Sequence, residues 1–332
     1  MNKKSLAIAL LLGAAAWGVQ AAEMAIAVSR PVVRKDLPSG SGMSWHEGRY
    51  FVVGDDSPWL CTLDRQFTLT GRSLLESHPV EADGRIAKDR KPDYEAMATV
   101  AWQGSTWNLI LGSGSKAQTR ETGLLVATDG KSKPIVADMS ALYRDLAALA
   151  GFKPGLLVNI EAVAIAYDRV FLFNRGNAGR NMLFAMPLVE FMGYMQGERQ
   201  KVERVALHEA TLPRLNGHEA GFSGADYWPE IDSLVYSASV EGSDNAYDDG
   251  AVLGSYLGLI PLAGLKEGAA LDLGRSARLL TRQGAAIRTK VESIALKQTS
   301  AGHATGALVS DNDDGSSEFF DIVLRLEDAN PR

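Results

Sequence analysis

Short apolar runs of four to eight residues, closed by Gly, Asp, Asn or Ser, recur along the whole chain. Tyr50 to Val53, Trp107 to Leu111, Leu124 to Ala127, Val170 to Phe173, Leu234 to Tyr236 and Ile322 to Leu326 are examples. Runs of this length between turn formers predict strands, and their number predicts an all-β chain. One segment departs from the pattern: Met139, Leu142, Leu146 and Leu149 share a helical face, Asp138 precedes them as a cap, and Gly151 and Pro154 follow as stops. A single helix over about 139–150 is expected there. The stretch 189–205 reads equally as helix or extended strand.

Five strand-like runs open on a common motif, an apolar residue, then Glu or Ser, then small or apolar residues. The copies are Met43-Ser44-Trp45, Tyr94-Glu95-Ala96-Met97-Ala98, Ile160-Glu161-Ala162-Val163-Ala164, Phe222-Ser223-Gly224-Ala225 and Val291-Glu292-Ser293-Ile294-Ala295. Successive Ser or Glu positions lie 51, 66, 62 and 69 residues apart, too far for a solenoid repeat and suited to large propeller blades. A five-bladed β-propeller, with six blades as the alternative count, follows. It would form a single domain over residues 22–332, with the helix inserted between the second and third blades. A β-sandwich gives no reason for such a recurrence.

Each motif is followed by an apolar strand and then a polar cluster: Asp55-Asp56-Ser57, Ser113 to Lys116, Asn174 to Asn177, Ser237 to Glu241, and Asp311 to Asp314. If motif and cluster bracket an antiparallel hairpin they lie side by side, and all five sets face one mouth of the central channel.

The ends and the composition narrow the function classes. Lys3 and Lys4 precede an apolar run from Leu6 to Val19, and Val19-Gln20-Ala21 supplies small residues at the cleavage positions, the pattern of a signal peptide over residues 1–21. The run is shorter than the roughly 20 residues a membrane span needs. Losing both lysines would leave 32 basic against 40 acidic residues, a charge of −8. With the basic residues scattered, and Arg85 to Lys91 read as a solvated loop, no patch suited to nucleic-acid phosphates is expected. Cys61 is the only cysteine, so no intramolecular disulfide supports the fold. A periplasmic or secreted monomer is the expectation.

Ser44, Glu95, Glu161, Ser223 and Glu292, one per blade, would converge on the axis. Three carboxylates without a cation repel one another. An all-oxygen set suits a hard ion, and calcium accepts more protein oxygens than magnesium does. The competing expectation is that these side chains bond neighbouring backbone between blades.

Glu95, Glu161 and Glu292 with Ser44 and Ser223 resemble the axial shell of the five-bladed calcium-activated nucleotidases, the soluble apyrases. The Glu-Ala-x-Ala strand starts and Ser310-Asp311-Asn312 resemble phytase-like and esterase-like propellers of bacterial envelopes. The resemblance implies calcium on the axis of a five-bladed propeller and, more remotely, hydrolysis of a small phosphorylated substrate.

In that scheme Asp55, Asp311 and Asp313 orient water. Lys116, Arg120, Asn174, Arg175, Arg180 and Asn312 bind a small-molecule ligand at the channel mouth. A non-catalytic propeller with structural calcium, and a calcium-dependent esterase or lactonase, are the alternatives. Three motifs fail. Gly221-Phe222-Ser223-Gly224-Ala225 resembles a nucleophile elbow but lacks a following helix. Asp311 to Gly315 departs from an EF-hand loop at its fifth and twelfth positions, and Gly123 to Ser132 has the wrong glycine spacing for a P-loop. The five histidines show no metal-ligand spacing. His46 alone, beside Ser44, is expected near the channel.

Overall fold

The computed structural model describes residues 23–176, 180–242, 250–312 and 315–327. Five antiparallel sheets form the five blades of a β-propeller. Blade 1 contains Gly40–His46, Arg49–Gly54, Trp59–Leu63 and Leu69–Leu74, and blade 2 contains Tyr94–Trp102, Ser105–Gly112, Thr122–Ala127 and Ile135–Asp138. Blade 3 runs through Ile160–Ala166, Arg169–Asn174, Met182–Pro187 and Ala206–Thr211, with the short Leu271–Asp272 added in parallel. Blade 4 runs through Gly221–Trp228, Ser233–Glu241, Val252–Pro261 and Arg278–Leu279. Blade 5 contains Lys290–Ser300, His303–Asp311 and Ser317–Glu327, and Glu23–Val28 closes it as the outermost strand.

The first strand of each blade packs on the first strand of the next, and Lys290–Ser300 returns to Gly40–His46, so five inner strands line one channel. The second strands are buried along most of their length rather than at alternate residues. In Arg169–Asn174 every residue after Arg169 is buried, because a neighbouring blade covers each face of the sheet. Two-residue turns join the first two strands of blades 1 and 2: Glu47 and Gly48, and Gln103 and Gly104, all have positive φ, the turn whose twist matches its strands.

The expected helix is Ser140–Leu149, between blades 2 and 3. Asp138 accepts the Ser140 N–H at 2.8 Å. Met139, Leu142 and Leu146 are buried, but Leu149 is exposed, since the helix ends before that position reaches the core. A second helix, Leu188–Met195, resolves the ambiguous stretch, and Phe191, Met192 and Met195 join the core of blades 2 and 3. Among the described residues no helix is long and apolar enough to cross a membrane. The expected signal segment and Asp313 lie outside the described residues.

Candidate metal centre

Every inner strand carries a one-residue register slip near its start. The extra residues are Ser41, Glu95, Glu161, Ser223 and Glu292. A bulge re-aims the side chain of its extra residue, so a single backbone device recurs five times around the channel. Four of these residues are the motif positions. In blade 1 the slip falls at Ser41 and not at Ser44, whose hydroxyl donates to Asn108 Oδ1 at 3.0 Å. The motif has an apolar residue before its Ser or Glu, whereas Ser41 follows Gly40. The usable signal was Ser-Gly, which Ser41-Gly42 shares with Ser223-Gly224.

The strand pairing sets Gly40 against Gly54, Tyr94 against Gly112, Ile160 against Asn174, Gly221 against Ser239 and Lys290 against Asp311. Bulges and polar clusters therefore share one mouth. Backbone hydrogen bonds stitch three blades together there: Asp55 N–H donates to Ser39 O, Asp93 to Asp55, Ser113 to Asp93 and Ile160 to Ser113, at 2.7–3.1 Å.

Asp55, Asp93 and Glu95 each bring a carboxylate oxygen within 4.8 Å of the others. Lys91 bridges Asp55 and Asp93, the latter at 2.9 Å, and Arg120 binds Asp93 at 2.7 Å. On the far side of the channel Arg175 lies between Glu161 at 3.8 Å and Glu241 at 3.1 Å, while Lys290 lies between Glu241 at 3.2 Å and Glu292 at 3.0 Å. Six carboxylates in this network face four cations, an excess of two acidic groups over basic ones.

The residue two positions before each bulge decides where that excess collects. Asn159 donates to Glu161 Oε1 at 2.6 Å, and Lys290 pairs with Glu292. The corresponding residue in blade 2 is Asp93, which cannot pair with Glu95. Among the described residues Glu95 makes no side-chain hydrogen bond or ion pair. Burial, and then the charges of Glu161, Asp93, Asp55 and Glu292, push its carboxyl well above the usual range. Burial likewise raises Asp55 to about 6, against the pull of Lys91. It raises Glu161 to about 7, against the pull of Arg175. Burial opposes charge on Asp93 too, but Lys91, Arg120 and Ser113 hold that carboxyl below its ordinary value.

The metal set expected from the motifs was Ser44, Glu95, Glu161, Ser223 and Glu292; the close carboxylate triad contains only Glu95 of these. Ser41 donates to Tyr94 O and Ser223 bonds Ser237 at 3.1 Å, so the bulged serines serve inter-strand contacts. The donor chemistry of the triad fits a hard cation. It is all oxygen, and Asp55 Oδ1 is buried without a hydrogen-bond partner.

Of the residues expected to bind a ligand, Arg120 and Arg175 lie in the charged network. Asn174 spends its amide on Asn159 N–H and on the carbonyls of Arg175 and Arg180. Asn312 braces a turn through Ser316 at 3.1 Å. Lys116 donates to Asp89 O, and the half-exposed Arg180 binds Glu209 at 2.5 Å and lines one cavity with Arg175 and Glu241. Asp311 sits opposite Lys290. His46 lies at the other end of its strand, 3.8 Å from Glu47. Ser223 continues into strand Gly221–Trp228 and forms no elbow.

The segment Arg85 to Lys91, expected as a solvated loop, supplies two cations to the mouth. Arg85 pairs with Asp56 at 2.6 Å and Lys91 is buried between aspartates. Their partners are remote in sequence, so charge spacing along the chain gave no signal. Asp93, Glu241 as a pairing partner and Lys290 were missed for the same reason, although Lys290-Val291-Glu292 and Asn159-Ile160-Glu161 share a visible i, i+2 pattern.

No curated protein matches the chain in sequence. Among solved structures, Myxococcus xanthus glutaminyl cyclase is similar at 11% identity and a TM-score of 0.47, covering 93% of this chain and 100% of its own. The Bacillus subtilis arabinanase Arb43A is similar at 11% identity and a TM-score of 0.42, covering 87% of this chain and 94% of its own. A family model, a family of unknown function designated DUF6929, matches residues 36–324. With most of the propeller inside that match, the chain belongs to the DUF6929 family.

Proposed function

We propose that this propeller is exported and binds calcium at Asp55, Asp93 and Glu95, and that its mouth hydrolyses a small phosphorylated molecule. The observation that carries the metal reading is the triad itself: three carboxylates within 4.8 Å, one of them without any cationic partner, at the end of the channel where all five bulges gather. The excess of two acidic groups over basic ones at the mouth, ionised once a cation is bound, matches one divalent ion. In this reading Asp55 serves as a ligand rather than as the water-orienting group first expected, and Asp311 keeps that second role. A bound calcium ion would supply charge for a phosphoryl oxygen or a water molecule. Arg175 and Lys290 neutralise the substrate's anionic oxygens, while Lys91 and Arg120 hold Asp55 and Asp93 in place.

Thermal unfolding after chelation, with calcium, magnesium and zinc returned separately, tests the metal. Calcium at about a hundred times its dissociation constant should stabilise the fold by about 2.7 kcal/mol, and Glu95→Gln should remove most of that response. Equal melting with and without each ion would end the metal reading.

Phosphate release from nucleotides and phytate tests the reaction. Turnover should require calcium and should fall at least about tenfold in Arg175→Ala while circular dichroism stays unchanged, the loss of a charge-assisted contact. A second reading, a non-catalytic binding propeller, is favoured by the ion pairs that Glu161 and Glu292 already make. Calcium-dependent melting with no phosphate or acid released from any phosphoester, ester or lactone would select it.

A further inference from the structure

The opposite end of the channel holds a second cavity of about 270 Å³, walled by the far halves of all five inner strands. Its lining differs from that of the bulged mouth. Ser44, Thr299, Asp226 and Lys297 line it beside Ile165 and Tyr227, and its exposed surface is more polar than apolar. Asp226 Oδ1 accepts the Tyr227 N–H and Oδ2 accepts the Leu296 N–H, both at 2.7 Å, which fixes the carboxylate in the wall.

Those two amides are its only polar partners among the described residues. Lys297, the cation that also lines the cavity, is turned to Asp321 at 2.6 Å. The cavity thus presents a carboxylate without a counter-ion in a largely polar lining. An isolated carboxylate away from water is costly unless a cation meets it. Burial lifts the Asp226 carboxyl to about 6, so it is largely ionised at neutral pH.

We propose that this back cavity binds a small primary ammonium compound with a short apolar chain, its N–H groups donating to the Asp226 carboxylate. The ammonium supplies the missing counter-charge. The apolar part is removed from water against Met97, Ile165 and Tyr227, and Tyr227 adds an aromatic ring suited to a cation. A cavity this small, at the lower limit for ligand pockets, restricts the body to a few carbons. The site is independent of the calcium reading, since it shares no residue with the bulged mouth.

Isothermal titration of the full chain with n-butylammonium, n-butanol and tetramethylammonium tests the proposal. Butylammonium should saturate one site per chain, and butanol should bind at least about tenfold more weakly, as should butylammonium to Asp226→Asn, the loss of one charge-assisted contact. Ala98→Leu, which fills the cavity from its wall, should abolish binding and keeps the test decisive if Asp226→Asn fails to fold. Absence of saturable butylammonium binding, equal binding of butanol, tetramethylammonium as tight as butylammonium, or an unchanged titration in Ala98→Leu would each overturn the proposal.

Discussion

A Cβ at Gly221 would lie 2.5 Å from Arg175 Cγ and 3.0 Å from its Nε. The glycine leaves the space through which Arg175 crosses the start of blade 4 toward Glu161 and Glu241, and its backbone needs no unusual conformation. Gly221→Ala should therefore act on Arg175 rather than on the turn. We expect a loss of about 1–3 kcal/mol, the range for overpacking, read by denaturant unfolding; a wild-type midpoint would show that Arg175 has another route. This contact was invisible in the sequence, where Arg175 and Gly221 stand in different blades. The motif carboxylates were legible, because a Glu behind an apolar residue, with Ala three positions on, at the head of an apolar strand is an uncommon combination. Their charge states were not. Whether Glu95, Glu161 or Glu292 has a cationic partner depends on side chains that arrive from neighbouring blades and loops.

The helix Leu188–Met195 is tied down by its first turn. Glu190 accepts Arg204 Nε at 2.6 Å and the N–H groups of Glu203 and Arg204 at 2.9 and 3.1 Å. The Arg204 hydrogen bond leads the effects that lower the Glu190 carboxyl from 4.5 to about 2. A depressed carboxyl contributes stability above its unfolded value and loses it as pH falls through the folded one. Wild type should therefore melt above Glu190→Gln at neutral pH, and the gap should close between pH 4.5 and about 2. A gap that stays constant across that window would refute the assignment. The element itself illustrates a limit of periodicity. The segment is apolar almost all round, because Leu188–Met195 is covered by the blade 2 and 3 core, so no polar face marked it as helix. Ser140–Leu149, with one face toward solvent, kept the helical pattern and was read to within a residue at each end.

Closure of the ring depends on both ends of the chain. Glu23–Val28 pairs residue for residue with Ile322–Glu327, and Met24 is buried in the core of blades 4 and 5. Without that strand, blade 5 would present the open edge of Ile322–Glu327, since Val32–Arg34 pairs only with Ser317–Phe319, and an open edge is a template for association. Deleting residues 23–28 should lower the melting temperature by roughly 5–10 °C, from loss of a buried methionine and its neighbours, and promote oligomers detectable by light scattering. A monomer with wild-type melting would show that the remaining strands close the ring unaided. The sequence by itself determined the strand content, the blade-length recurrence and four of the five bulge positions, since apolar runs, turn residues and the Glu or Ser starts are local. Only the tertiary structure decided that Asp93, rather than an axial serine, joins Glu95, that Lys91, Arg175 and Lys290 neutralise the rest of the mouth, and that Asp226 is left without a counter-ion at the other end. Those outcomes rest on charges brought within a few ångströms of each other from remote parts of the chain, and Coulomb energy depends on distance in space and on burial rather than on separation along the sequence.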